Sequence, residues 1–194
     1  MKTTKFTRLA AVVLALAFVF SAMVGVNICA ATSADEGSAT ITNKNVDHGT
    51  ELALCFAVSE GTVDGTIYLL VWDDDFTGEY TFATAEQKKT ALGDVTIGGE
   101  TRKLFIADSI AAKDIDAPIT FRTCIETADG EYVYGEVESY SVLDYVAQRL
   151  SEIPTDEKLD TDAKKNEQIN VCNAIIRYNE AAEAVLGKGK EPKN

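Results

Sequence analysis

From Ala39 to Tyr140 apolar and polar positions alternate along the chain, in short runs separated by turn residues. The runs are Ala39–Val46, Leu52–Val58, Thr66–Trp72, Tyr80–Ala83, Val95–Ile97, Arg102–Ile106, Ile119–Glu126 and Glu131–Val137. A period of two is the signature of strands with one buried face. Asp47-His48-Gly49, Asp64-Gly65, Gly98-Gly99 and Asp129-Gly130 punctuate the runs. Asp-Gly and Gly-Gly pairs supply the positive φ angles of tight hairpins. Short strands in this spacing predict a mainly β protein, an antiparallel immunoglobulin-like β-sandwich. In Thr66–Trp72 both faces are apolar: Ile67, Leu69 and Val71 fill one, Tyr68, Leu70 and Trp72 the other. Such a strand needs a cover on each side. One cover is the sandwich core; the second is either the C-terminal helices or a ligand.

After Tyr140 the pattern turns helical. Ser141 with Asp144 forms a capping-box signature, Asp standing in for the usual Glu. Val142, Leu143, Val146, Leu150 and Ile153 follow at helical spacing, and Pro154 stops the helix. A polar loop leads to a second helix, Asp162 to Leu186, stopped by Gly187. Its expected buried stripe is Val171, Ile175, Tyr178, Ala182 and Val185, with Cys172 at the flank.

The N-terminal segment has another logic. Lys2, Lys5 and Arg8 precede the unbroken apolar run Leu9–Phe20, and the small residues Cys29, Ala30, Ala31 and Ala34 follow. This layout predicts a secretory signal peptide, cleaved after Ala31 or Ala34. The alternative is an uncleaved anchor, because Leu9–Ala31 carries no charge and is long enough to span a bilayer. The expected organisation is a signal peptide (1–34), a sandwich (35–140), a helical hairpin packed on it (141–187) and a disordered tail (188–194).

Charge narrows the partners. The chain carries a net −13; residues 1–34 hold three of its 18 basic side chains and none of its 31 acidic ones, so the remainder has 31 against 15, or −16. That surface repels nucleic acid and anionic lipid. No nucleic acid is expected as a partner, and no membrane after signal cleavage. A protein or glycan in the secreted or cell-surface environment is the expected partner. Four cysteines become three once Cys29 leaves with the signal, an odd number that closes no disulfide framework. Cys55 and Cys124 could pair across a sandwich, with Trp72 on an intervening strand. The alternation opposes it, because Cys124 shares a face with Arg122 and Glu126, and Cys55 also falls on the minor face. No disulfide is expected.

Candidate chemistry is sparse. His48, the only histidine, sits between two strands without a nucleophile-elbow pattern, and no zinc-ligand spacing accompanies it. No catalytic residue is assigned. Asp73, Asp74 and Asp75 form the densest acidic run; a hard cation could neutralise them, but the alternating spacing of a calcium loop is absent. No cofactor or metal is expected. Tyr68, Trp72, Phe76 and Tyr80 could together form a platform for sugar rings. The competing reading buries them under the helices. The expected function is an exported, non-catalytic accessory, surface or interaction module; the alternative is a carbohydrate-binding module using these aromatics.

Tyr140-Ser141-Val142-Leu143-Asp144-Tyr145 and Arg177-Tyr178-Asn179-Glu180-Ala181-Ala182-Glu183 carry a resemblance, as does the stretch Asp108–Ile115. Together they resemble an uncharacterised bacterial module common in exported proteins of anaerobic Gram-positive species. In it a β-sandwich ends in Tyr-Ser-Val-x-Asp-Tyr, and a later helix bears Asn-Tyr-Gly-x-x-Ala-Gln. Here Arg177, Asn179 and Glu183 replace the Asn, Gly and Gln, so only Tyr178 and Ala182 agree on that helix. The resemblance implies an architecture and an exported location, and no chemistry. Free thiols would suit the reducing habitat of such a host.

Overall fold

The computed structural model describes residues 33–48, 52–73 and 75–187, apart from the side chains of His48, Asp108 and Ser109. Residues 1–32, where a signal peptide is expected, residues 49–51, which include Gly49, Asp74 and residues 188–194 lie outside the described residues.

Among the described residues, nine strands form two antiparallel sheets. They are β1 (Thr40–His48), β2 (Leu52–Ser59), β3 (Thr66–Trp72), β4 (Gln87–Thr90), β5 (Gly93–Ile97), β6 (Glu100–Ile110), β7 (Ile119–Glu126), β8 (Tyr132–Tyr134) and β9 (Glu138–Tyr140). The first sheet runs β1-β2-β6-β5 and the second β4-β3-β7-β8, with β9 also paired to β7. Between β8 and β9 the chain bulges away from β7. Gly135 sits in the bulge and donates its N–H to the Thr123 carbonyl at 2.9 Å. A Cβ at Gly135 would run into the Thr123 hydroxyl and the Ala39 carbonyl, so the close approach requires glycine. Gly130, at φ 78°, makes the turn of the β7–β8 hairpin.

The sheets face each other through Leu54, Phe56, Val58 and Phe105 on one side and Leu69, Val71, Phe121 and Ile125 on the other. Phe56 and Phe121 meet at 4.5 Å between ring centroids. Two helices extend this core: α1 (Val142–Glu152) contributes Val142 and Val146, and α2 (Asp162–Leu186) contributes Cys172 and Ile175. The Ser141 hydroxyl accepts from the Asp144 N–H while the Asp144 carboxylate accepts from Ser141, closing both halves of the capping box. Thr161 caps α2, and Gly187 ends it at φ 81°. Arg149, nearly buried, binds Asp156 at 2.9 Å and Glu152 at 3.4 Å, tying the end of α1 to the interhelical loop. No helix among the described residues is long and apolar enough to cross a membrane.

Three expectations need correction. Tyr80–Ala83 is no strand; it belongs to the connection from β3 to β4, and the strand lies at Gln87–Thr90 instead. β4 pairs only with β3, so it is an edge, and edges carry lysines such as Lys88 and Lys89 rather than an apolar alternation. Tyr178 and Val185 are not on a buried stripe; they are 60% and 82% exposed. Helix α2 is held up to Asn179, whose amide donates to the Ala112 carbonyl at 2.8 Å, and Val185 lies almost two turns further on. Finally, the helices join the core between the sheets, so they leave the face of Tyr68 and Trp72 to another cover.

Candidate functional site

The outer face of the second sheet concentrates aromatic rings. Cross-strand partners share a face, so the register sets the rows. Thr66, Glu126 and Tyr132 form one row; Thr90, Tyr68, Cys124 and Tyr134 the next; Lys88, Leu70 and Arg122 the third; Trp72 and Thr120 the last. Residues 75–86 fold back over these rows. They bring Phe76, Tyr80, Phe82 and Ala85 against Leu70, Trp72 and Cys124.

Trp72 is fully buried in this cluster, with Tyr80 edge-on at 5.1 Å and Phe76 at 6.1 Å. Its indole Nε1 has no hydrogen-bond partner among the described residues. Tyr68, Phe76 and Tyr80 are half-buried. The four residues weighed as an open platform therefore do meet in space, but around a closed interior. Trp72, Phe76 and Tyr80 pack on one another in tilted and edge-on pairs, Tyr68 joins the cluster from its rim, and the buried Trp72 offers nothing to a sugar. Their cover is a loop next to them in sequence, which an apolar strand with two faces could not specify.

Two polar devices fasten that loop. The Arg122 guanidinium donates from Nη1 to the Tyr80 carbonyl at 2.8 Å, and from Nε and Nη2 to the Gly135 carbonyl at 3.0 and 2.6 Å. It lies 4.6 Å from the Tyr134 ring centroid. Burial pushes the Arg122 pKa down, and the Asp35 carboxylate opposes this. The Tyr134 hydroxyl accepts from the Phe82 N–H at 3.1 Å. One buried cation thus joins the bulge to the loop, and one phenol holds the loop two residues further along.

Towards the β7–β8 turn the face opens. Phe82 and Tyr132 stack at 4.5 Å and 17°, with Tyr68 edge-on to Phe82 at 5.2 Å. Tyr132 remains 37% exposed. The Tyr68 and Tyr132 hydroxyls donate to the two oxygens of Glu126 at 3.2 and 3.3 Å. Local desolvation, and then the adjoining Glu126 carboxylate, push both phenol pKa values up. The Lys88 ammonium rests 4.6 Å from the Phe82 centroid.

Asp73 is half-buried, Asp75 is exposed and Asp74 lies outside the described residues. No group of three or more His, Cys, Asp or Glu side chains among the described residues is placed to hold a metal ion. His48 ends β1 opposite Leu52, and its side chain lies outside the described set. Cys55, Cys124 and Cys172 are buried free thiols. Cys55 pairs with Ile106 on the outside of the first sheet and Cys124 with Tyr134 on the outside of the second, so the core separates them. Burial raises the Cys55 thiol to about 11 and Cys124 to about 12.

The residues that organise the face, Arg122, Glu126, Phe82 and Tyr132, carried only weak signals in the sequence. Arg122 in the middle of an apolar strand was the best of them, since a buried charge implies specific acceptors. Comparison with family models, curated proteins and solved structures finds no match to this chain.

Proposed function

We propose that this chain is an exported, non-catalytic interaction module whose contact surface is the outer aromatic face around Tyr132. The observation that carries the reading is the exposed end of a built aromatic stack. Tyr132 lies on Phe82, its phenol is fixed on Glu126, and the loop beneath is fastened by Arg122 and Tyr134. A surface ring held this firmly loses little entropy on binding, the property that makes tyrosine an effective contact residue. Burial that keeps Cys55 and Cys124 protonated argues against these two thiols as nucleophiles.

The strand order supports an immunoglobulin-like sandwich. Labelled A to G along the chain, β1-β2-β6-β5 corresponds to A-B-E-D, and β4-β3-β7-β8/β9 to a C′-C-F-G sheet. The signal-like N-terminus and the Tyr140–Tyr145 motif support export and a place among modules of bacterial surface and secreted proteins. The carbohydrate reading keeps one foothold, the exposed Tyr132 ring beside a carboxylate acceptor.

The test is a parallel glycan-array and peptide-array screen of the mature chain and its Tyr132→Leu variant. A ligand retained by the parent and lost by the variant is expected. Ligands bound equally by both would move the contact surface elsewhere.

A further inference from the structure

We propose that the Tyr132 face recognises a cationic side chain, the ammonium or guanidinium of a basic peptide segment; this rests on the recognition role of that face. Three observations converge. The first is the pairing of exposed π surface with fixed negative charge. Tyr132 and Tyr68 aim both hydroxyls at Glu126, so aromatic faces and a carboxylate occupy one patch. Ring faces attract cations through their quadrupole, and a nearby carboxylate adds to that attraction.

The second is that the patch already holds an ammonium. Lys88 reaches from the edge strand to within 4.6 Å of the Phe82 centroid, on the ring that Tyr132 stacks against. A lysine of this chain therefore demonstrates the contact that a partner's cation would make on Tyr132.

The third is the charge around it. Exposed Asp129 and Glu131 lie on the turn that leads into Tyr132, and exposed Asp64 precedes Thr66, the cross-strand partner of Glu126. Lys88 and the buried Arg122 lie on the strand side of the patch, so the acidic side is the exposed rim at the turn, within a chain of net −16 beyond residue 34. A neutral sugar gains nothing from that field, whereas a basic segment is steered by it.

The experiment is calorimetric titration of the full mature chain with an oligolysine peptide at two salt concentrations. The variants are Tyr132→Leu, Tyr132→Phe, Glu126→Gln and Glu180→Gln, the last removing an exposed charge on α2. A saturable site that weakens with salt is expected. Tyr132→Leu should weaken it about two- to fivefold without any change in net charge, and Tyr132→Phe should largely keep it, because the ring survives. Glu126→Gln should weaken it and Glu180→Gln should not. Equal binding by Tyr132→Leu and the parent would reduce the attraction to diffuse charge and overturn the proposal. Absent oligolysine binding combined with Tyr132-dependent binding of a neutral oligosaccharide would overturn the cationic partner and leave the recognition face standing. No Tyr132-dependent ligand of either kind would overturn both.

Discussion

The two faces of the β3–β7 pair are covered in different ways. Inside, Leu69, Val71, Phe121 and Ile125 pack against strands and helices far away in sequence. Outside, Leu70, Trp72 and Cys124 pack against a loop that begins at the next residue after β3. The inner cover is mostly aliphatic and non-local. The outer cover is aromatic and local, and it needs a buried arginine and a tyrosine hydroxyl to stay in place. Non-local burial is lost only when the whole domain unfolds, whereas a local cover can open alone. The difference makes the outer cover, and the Phe82 ring under the exposed Tyr132, depend on those few polar ties.

The largest expected effect breaks the inner side. Phe121→Ala removes the ring that meets Phe56 and should cost about 3–5 kcal/mol. Chemical denaturation should show one cooperative transition at a lower midpoint. A variant that lost only the loop's ordering would contradict the separation of the two faces.

Arg122→Met attacks the outer side. It keeps an apolar stem but strips the Tyr80 and Gly135 carbonyls of their donor, at about 1–3 kcal/mol. Hydrogen exchange at Phe82 and its neighbours should accelerate well before that of β3 and β7. Uniform acceleration across the sheet would mean that the loop belongs to the core unit.

The helical end offers a control away from both faces. Burial opposes ionisation of Asp156, but the Arg149 hydrogen bond and the Lys158 N–H outweigh it and hold its carboxyl below the ordinary range. A carboxyl depressed in the folded state stabilises above its unfolded pKa, near 4. That contribution disappears as pH falls through the lower folded value. Asp156→Asn should therefore cost about 1–2 kcal/mol at neutral pH and progressively less in acid. Melts at both pH values check this; a constant difference would remove the ion pair from the account.

Tyr132→Leu should have the smallest effect on stability, about 0.5–1 kcal/mol, because it loses only the Phe82 stack and the Glu126 hydrogen bond at a partly exposed site. A large loss in its thermal melt would make Tyr132 a structural residue and weaken its role in recognition.

The sequence conveyed the inner face well and the outer face badly. The alternation in Leu52–Val58 and Ile119–Glu126 located β2 and β7, and the Ser141–Asp144 pair located the start of α1. Those signals are local and follow from burial on one side. It also showed that Thr66–Trp72 needed two covers, but periodicity does not say which segment supplies the second. The run Tyr80–Ala83 read as a strand because its rings are apolar at short spacing, and those rings serve the covering loop instead. β4 was missed because an edge strand of Gln and Lys carries no apolar period. Tyr178 and Val185 fitted a helical stripe, but Tyr178 stays exposed beside Asn179, which makes the contact to Ala112, and Val185 lies beyond that contact.

Trp72 is the only tryptophan, so its fluorescence reports on the outer face alone. The most direct test of the central claim is acrylamide quenching of Trp72 in the parent, in Tyr80→Ala and in Ile175→Ala, under conditions where all three are folded. Tyr80 belongs to the loop and Ile175 to the helix packed on the inner core. The account predicts weak quenching in the parent, a clear rise in Tyr80→Ala and none in Ile175→Ala. A rise in Ile175→Ala with none in Tyr80→Ala would make the helices the cover and contradict it.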